Sequence, residues 1–369
     1  MRKVIFLQAK LPVNAEPLLQ LATRWRSYSD ILQQHSSQAR ILIFTPSPLT
    51  LNSIRILASQ QIFQLPPIER LKSKVARIAA LRRELAFQSD GATLVCGDIQ
   101  QSFLIAVLIK LSLNRQISVQ IQFHGDTYFF RNNRGFKGFI RVCSSRLGIY
   151  CADSIRIVSE FQKKEIIGIS KHAGSKLILA PVPIDFSRVA KKSNGDSFDV
   201  AFIGRLHSER GIKEFVRIVK AISAERPETT FVVVGDGPLR KNIEMDFADL
   251  IRNKALVLTG YLSSEELVSI YETSRILLST APREGYGLTL REAALSNVFV
   301  VARESMGVLE AKRIFPKSIG TYLTIEQAVE TVIARLAEPK LDEEFENFLL
   351  QERLDGAGLN RLCRSWLGA

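Results

Sequence analysis

An α/β chain of two doubly wound domains is the fold class that the sequence predicts, on three grounds. The 369 residues exceed what one ordinary core organises, so two domains are the default. Short runs of Val, Ile, Leu and Phe alternate with longer helical stretches, which argues for parallel sheets covered on both faces. No run reaches the roughly 18 apolar residues of a membrane span, and no tract is of low complexity, so the whole chain reads as globular.

In chain order, Lys3–Leu7 is the first strand. Its basic, apolar beginning has the look of a signal start, but the apolar run is too short for one. The loop behind it, Gln8–Ala15, contains no glycine. Further strands follow at Arg40–Phe44, Thr93–Cys96 and Ser118–Gln122. The longest apolar run, Phe103–Ile109, is cut by Lys110 and reads as a buried helix. His124 follows a strand in Phe123-His-Gly-Asp126, at the carboxyl end where open α/β sheets bind ligands. A lone histidine is more often scaffold than ligand, so both roles stay open here. The basic stretch Arg188–Gly195 reads as the linker between domains.

The second half carries the more specific patterns. A strand in Asp199–Leu206 ends at Gly204-Arg205, and a helix opens at Arg210-Gly-Ile-Lys. Two cations five residues apart across such a loop suit a diphosphate, because guanidinium groups pair with phosphate oxygens in fork geometry. A solvated basic loop is the plainer reading. Phe231–Arg240 gives a strand and the turn Gly235-Asp-Gly237. A dinucleotide fold would want a third glycine, where Arg240 and Lys241 stand instead, so this turn reads as structural. Ala255–Leu262 is another strand, with a helix beginning at Ser263.

The most informative segment runs from Ser279 to Leu295. A strand, Ile276–Leu278, enters a loop holding Gly285, Tyr286, Gly287 and Leu288, and a helix starts near Thr289. The two glycines can take positive φ and bring bare backbone near a ligand. The helix start offers backbone N–H groups and a positive dipole end, a seat for phosphate. Glu284 and Glu292 bracket that seat eight residues apart. Thr289-Leu-Arg-Glu292 is also a capping box, in which Glu292 would only bond the helix start, and both readings stay open.

Taken together, Gly204-Arg-Leu206, Val234-Gly-Asp-Gly-Pro238 and Glu284–Glu292 resemble the motifs of retaining family 4 glycosyltransferases of the GT-B fold. The resemblance is strong over residues 199–310, moderate over 120–190 and a matter of pattern in residues 1–119. It implies two Rossmann-like domains facing one another across a cleft. Residues 1–190 would bind the acceptor and 191–369 the nucleotide-sugar donor, with the last helix crossing back to the first domain.

By the same resemblance, Glu284 touches the donor sugar and Glu292 the ribose. Arg205 and Arg210 clamp the diphosphate beside Gly204, and His124 lies near the reaction centre. Tyr261 and Leu262 pass the base through their backbone, and the loop from Gly285 to Thr289 lines the donor. Four departures stand out. Arg210 stands where the family usually has Lys, Asn297-Val-Phe299 replaces a G-x-P, Met306-Gly307 replaces paired glycines, and Gln8–Ala15 lacks the glycines that many members have after the first strand.

No D-x-D occurs in the chain, so Arg205, Arg210 and the helix start are expected to neutralise the leaving phosphate without a metal. No cofactor beyond the donor substrate is expected. Charge is uneven: residues 1–190 carry 26 Lys and Arg against 11 Asp and Glu, a net of +15, and the rest carry −2. The positive field is densest in Glu69–Arg83 and Tyr128–Arg141, where Phe and cations mix as on a segment lying against an anionic bilayer. No nucleic-acid-binding signature accompanies it, and nucleic acid is not an expected partner.

The four cysteines have neither metal nor disulfide spacing and fit a reducing compartment. The expectation is a monomeric cytoplasmic hexosyltransferase, able to lie peripherally on a membrane and acting on a glycan or lipid-linked acceptor of the envelope. A GT-B sugar-nucleotide epimerase and an inactive nucleotide-sugar-binding relative are the alternatives.

Overall fold

The computed structural model describes residues 3–7, 15–35, 41–45, 51–60, 62–64, 74–86, 92–97, 101–113, 117–123, 136–182, 184, 189–190, 197–339, 360 and 362–366. The chain divides into two compact units, Met1–Pro181 with Leu354–Ala369, and Val182–Arg353. The boundary falls before the expected linker because Val189 and Ala190 already pack in the second unit. Val189 lies against Leu295, and the Ala190 N–H donates to Ser296 Oγ at 3.0 Å.

In the first unit, strands and helices alternate: β1 (Lys3–Leu7), α1 (Ala15–His35), β2 (Ile41–Phe44), α2 (Leu51–Ser59), β3 (Phe63–Gln64), α3 (Lys74–Ala86) and β4 (Ala92–Cys96). Then come α4 (Gln101–Leu113), β5 (Ile117–Gln122), α5 (Phe136–Cys151), β6 (Ser154–Ile157), α6 (Glu160–Ile169) and β7 (Leu177–Leu179). The strands form one parallel sheet in the order β3-β2-β1-β4-β5-β6-β7.

Side chains alternate across the sheet, so each strand feeds two layers. Ile5, Leu7 and Leu94 face Leu81 of α3, Phe103 and Ile109 of α4, Ile149 of α5 and Ile166 of α6. Val4, Phe6 and Val95 face α1, α2 and the helical residues 362–366. That returning segment is held by Trp366, whose indole N–H donates to Gln120 Oε1 at 2.7 Å and whose carbonyl accepts from Thr93 Oγ1. Burial here pushes the Cys363 thiol up to about 12, which keeps it an inert core group.

The second unit repeats the scheme with β8 (Phe198–Ile203), α7 (Ile212–Glu225), β9 (Phe231–Val234), α8 (Arg240–Asp246), α9 (Ala248–Arg252) and β10 (Leu256–Gly260). It continues with α10 (Ser264–Thr273), β11 (Ser274–Ser279), α11 (Leu288–Leu295), β12 (Phe299–Arg303), α12 (Met306–Ile314), β13 (Ile319–Tyr322) and α13 (Ile325–Ala337). Its six parallel strands run β10-β9-β8-β11-β12-β13. The two halves of that order diverge between β8 and β11, the topological switch point where such sheets bind ligands at their carboxyl ends.

Two sequence expectations change here. The helix over Phe103–Ile109 is only half-buried, since Leu104 and Leu108 of α4 face solvent. Asn297, standing for a glycine, takes the left-handed conformation itself at φ 56°. Asn tolerates that region better than most residues, so this departure leaves the turn intact.

Candidate active site

The carboxyl ends of β8, β9 and β10 are tied together by backbone hydrogen bonds. The Gly204 N–H donates to the Val234 carbonyl at 2.9 Å, and the Gly235 N–H to the Gly260 carbonyl at 2.7 Å. Gly235 sits at φ 126°, and a Cβ there would collide with the Gly204 carbonyl oxygen. The Gly235-Asp-Gly237 turn therefore supports the Gly204-Arg205 loop from beneath, the structural role its sequence suggests. Tyr261 is half-exposed just past this edge, and Leu262 is partly buried beside it.

The loop after β8 is folded by its own short-range bonds. His207 caps a single helical turn over Ser208–Arg210, accepting the Glu209 N–H. Arg205 is largely exposed and turned onto Glu209 within that turn. Arg210 is oriented differently. Its carbonyl accepts from Thr280 Oγ1 at 2.8 Å, and Gly211 follows in the left-handed region at φ 69°, packed against the Thr280 carbonyl. Any side chain at residue 211 would push this loop off the β11 end.

From that footing the Arg210 guanidinium reaches Glu284, with Nη1 at 2.8 Å from Oε2. The other carboxylate oxygen accepts the Gly287 N–H at 3.2 Å. Glu284 is thus held between a cation from the β8 loop and the start of α11, with its side chain 17% exposed. Together with Thr280, Thr289 and Leu290, the pair lines a narrow crevice at the β8–β11 switch point.

The helix start differs from the sequence reading by one residue. Gly287 is the N-cap at φ 73°, with no side chain capping it, and α11 begins at Leu288. The capping box does not form, because Thr289 lies inside the first turn and the Glu292 carboxylate instead accepts the Tyr271 hydroxyl at 3.2 Å. Gly287 alone of the two loop glycines has positive φ. Gly285 contributes closeness instead. Gly307 packs against the Glu284 and Gly285 backbone so tightly that a Cβ would collide with the Glu284 carbonyl. The Gly307 N–H donates to that carbonyl at 3.1 Å, while Met306, where the family has a second glycine, is exposed.

Glu292 is 2% exposed, in the second turn of α11. Sequence reasoning missed its neighbour. Arg291 is equally buried, with its guanidinium over the Tyr286 ring at 4.2 Å and its Nε donating to the Tyr286 carbonyl at 3.2 Å. This fixes the middle of the glycine loop from inside, where cation–π and hydrogen bonding act together. A charged residue early in a helix ordinarily faces solvent, so nothing in the sequence marks it.

A second missed group lies at the α7 start. Glu214 binds Arg303 and accepts the Tyr322 hydroxyl at 2.9 Å. Burial, then the Glu214 charge, push the Tyr322 hydroxyl well above its ordinary range. The three residues lock the helix after Arg210-Gly211 to the ends of β12 and β13. His124, Arg131 and Arg134 lie outside the described residues.

This second unit therefore brings Gly204, Arg210, Glu284, Gly287, Thr289 and Glu292 to the sheet's switch point. It offers a cation, a helix start and two carboxylates, a set that suits a ligand with both anionic and hydroxyl groups.

The fold is that of the GT-B glycosyltransferases. Anabaena HepE, solved with UDP and glucose, superposes with a TM-score of 0.66 at 13% identity, covering 100% of this chain and 96% of that one. TarM of S. aureus gives a TM-score of 0.68 at 11% identity, covering 100% and 95%. Residues 183–347 match the family model of glycosyl transferases group 1.

Among curated proteins, the capsular polysaccharide biosynthesis glycosyltransferase CapM of Staphylococcus aureus is 23% identical over 219 residues, 54% of this chain and 57% of CapM. The sulfoquinovosyl transferase SQD2 of Arabidopsis thaliana is 22% identical over 246 residues, 63% of this chain and 45% of its own. The chain spans less than two thirds of the length of these curated relatives.

Proposed function

We propose that this protein is a retaining, metal-independent hexosyltransferase of the family 4 type, moving a sugar from a nucleotide-sugar to a glycan or lipid-linked acceptor in envelope polysaccharide biosynthesis. The observation that carries the reading is the Arg210–Glu284 pair beside the α11 start. Arg210 commits one Nη to Glu284 and keeps the rest of its fork for a diphosphate. In this reading Glu284 meets the sugar next to that diphosphate, and Glu292, deeper along α11, meets the ribose.

The bond from the anomeric carbon to the diphosphate oxygen breaks as the acceptor oxygen bonds on the same face. The acceptor's proton passes to the departing phosphate oxygen. Negative charge grows on that phosphate, so a fixed guanidinium and helix dipole stabilise the transition state more than the bound donor. Glu284 positions the sugar through its hydroxyls. His124, placed by resemblance near this centre, is part of the same proposal.

Uridine donors are the first to test, since HepE is solved with UDP and glucose. A thermal-shift panel of UDP-, GDP-, ADP- and CMP-sugars should single out one nucleotide, because ligand at 100 times its Kd adds about 2.7 kcal/mol of stability. Transfer should then survive EDTA. No response to any nucleotide-sugar would overturn the donor site, and loss on chelation reversed by Mg²⁺ or Mn²⁺ would overturn the metal-free clamp.

The proposed place of work is the cytoplasmic membrane face, which the net +15 of residues 1–190 supports. Among the described residues no helix is long and apolar enough to cross a membrane.

A further inference from the structure

Apolar exposure in the first unit is concentrated on two helices. Of its nine exposed large apolar side chains among the described residues, seven lie on α4 and α5. On α4 these are Leu104, Leu108 and Leu111, the last 75% exposed, spaced as one face of a helix. On α5 they are Phe139, Ile140, Leu147 and Tyr150, with Phe139 65% exposed. Each stripe faces away from the sheet, because the opposite residues Phe103, Ala106, Ile109 and Ile149 belong to the core.

The two stripes share one layer. Arg82 of α3 donates to Ser112 at the end of α4, and Lys110 of α4 pairs at 2.6 Å with Asp153 just after α5. Within α3, α4 and α5 the sequence holds eight cations and a single carboxylate, Glu84. Arg82, Arg83 and Arg146 are exposed among them. On the opposite layer α1 is balanced, with two arginines against Glu16 and Asp30. Exposed apolar surface rimmed by polar side chains marks a site of interaction with a membrane or another molecule.

We infer that the outer face of α3, α4 and α5 is the surface on which this protein lies against an anionic lipid bilayer. Leucine and aromatic side chains enter the headgroup boundary, and the flanking arginines meet lipid phosphates. The chemistry fits a bilayer better than a protein partner, because two helices present long apolar side chains with cations throughout and almost no carboxylate. The inference rests on the membrane reading above and names the residues that would serve it.

The test is co-sedimentation of the full chain with phosphatidylglycerol-containing vesicles and with pure phosphatidylcholine vesicles, without donor or acceptor. Wild type should bind the anionic vesicles at least tenfold better, and the difference should shrink with salt. Leu108→Ser with Leu111→Ser should weaken binding at every salt concentration. Arg83→Ser with Arg146→Ser should cost about fivefold per charge at low salt. Melting temperature and nucleotide binding, read on the same samples, separate a folding defect or failure of the transferase reading from failure of this inference. Equal binding to both lipids, or unchanged binding in both folded variants, overturns it. So does absence of vesicle binding with a wild-type dimer that dissociates in the leucine variant, which would make the stripe a contact between copies.

Discussion

Glu284 and Glu292 belong to one short segment yet sit in opposite surroundings. Glu284 is in a loop, gripped by Arg210 across the switch point and by the Gly287 N–H. Glu292 is inside a helix turn, almost wholly buried and bonded to Tyr271 of another helix. Two acidic residues eight positions apart therefore have different partners. One carboxylate is paired with a cation that a phosphate can compete for. The other is part of a packed wall, placed by the helix.

The largest expected effect lies on the loop side. Glu284→Gln should lower turnover by about 10²–10³, the size typical of losing one preorganised hydrogen-bonding contact in an active site, with nucleotide affinity little changed. If donor turnover is normal in that variant, the pair with Arg210 is only a loop fastener. Next in size is the footing beneath it. Gly307→Ala should cost about 1–3 kcal/mol by overpacking against the Glu284 backbone, a melting shift of several degrees, and should lower activity together with stability. Met306→Gly, at the exposed neighbouring position, should change neither.

The middle of the loop tells the two carboxylates apart from a third side. Arg291→Met should leave Glu292 where it is while freeing Tyr286, so kcat should fall about tenfold at unchanged affinity for the bare nucleotide. A matching loss of nucleotide affinity would mean that Arg291 orders the helix rather than the loop. The smallest effect is at the α7 brace. The folded-state value of Tyr322 is raised above its unfolded value of 10.0, so its contribution is complete below that pH and lost as pH rises beyond it through the folded value. Melting curves at about pH 9 and 11 should therefore differ less in Tyr322→Phe than in wild type.

Much of this architecture is legible in the sequence. The glycines at 204, 235, 237 and 260 stand at strand ends and those at 211 and 287 at helix starts, and apolar strands alternating with helices give both sheets their order of elements. The Glu284–Glu292 spacing points to the segment whose first carboxylate lines the crevice at the switch point. What escapes is contact across elements. Nothing local joins Arg210 to Glu284, Glu292 to Tyr271 or Glu214 to Tyr322, since those pairs are 74, 21 and 108 residues apart. Thr289 reads equally well as an N-cap because a capping box is a local pattern, and only the αL turn at Gly287 moves the helix start. Periodicity likewise fails on α4, where an apolar run gives no sign of which leucines meet water.

If the two carboxylates divide the donor between them, calorimetric titration of the free nucleotide should show it. Against wild type, Glu292→Gln should lose roughly tenfold to a hundredfold in affinity, since a charged hydrogen bond to ribose contributes on the order of 1.5–3 kcal/mol. Glu284→Gln should bind the same nucleotide about as tightly as wild type. Normal nucleotide binding by Glu292→Gln, with only an earlier melt, would contradict that division and leave Glu292 as a buried partner of Tyr271.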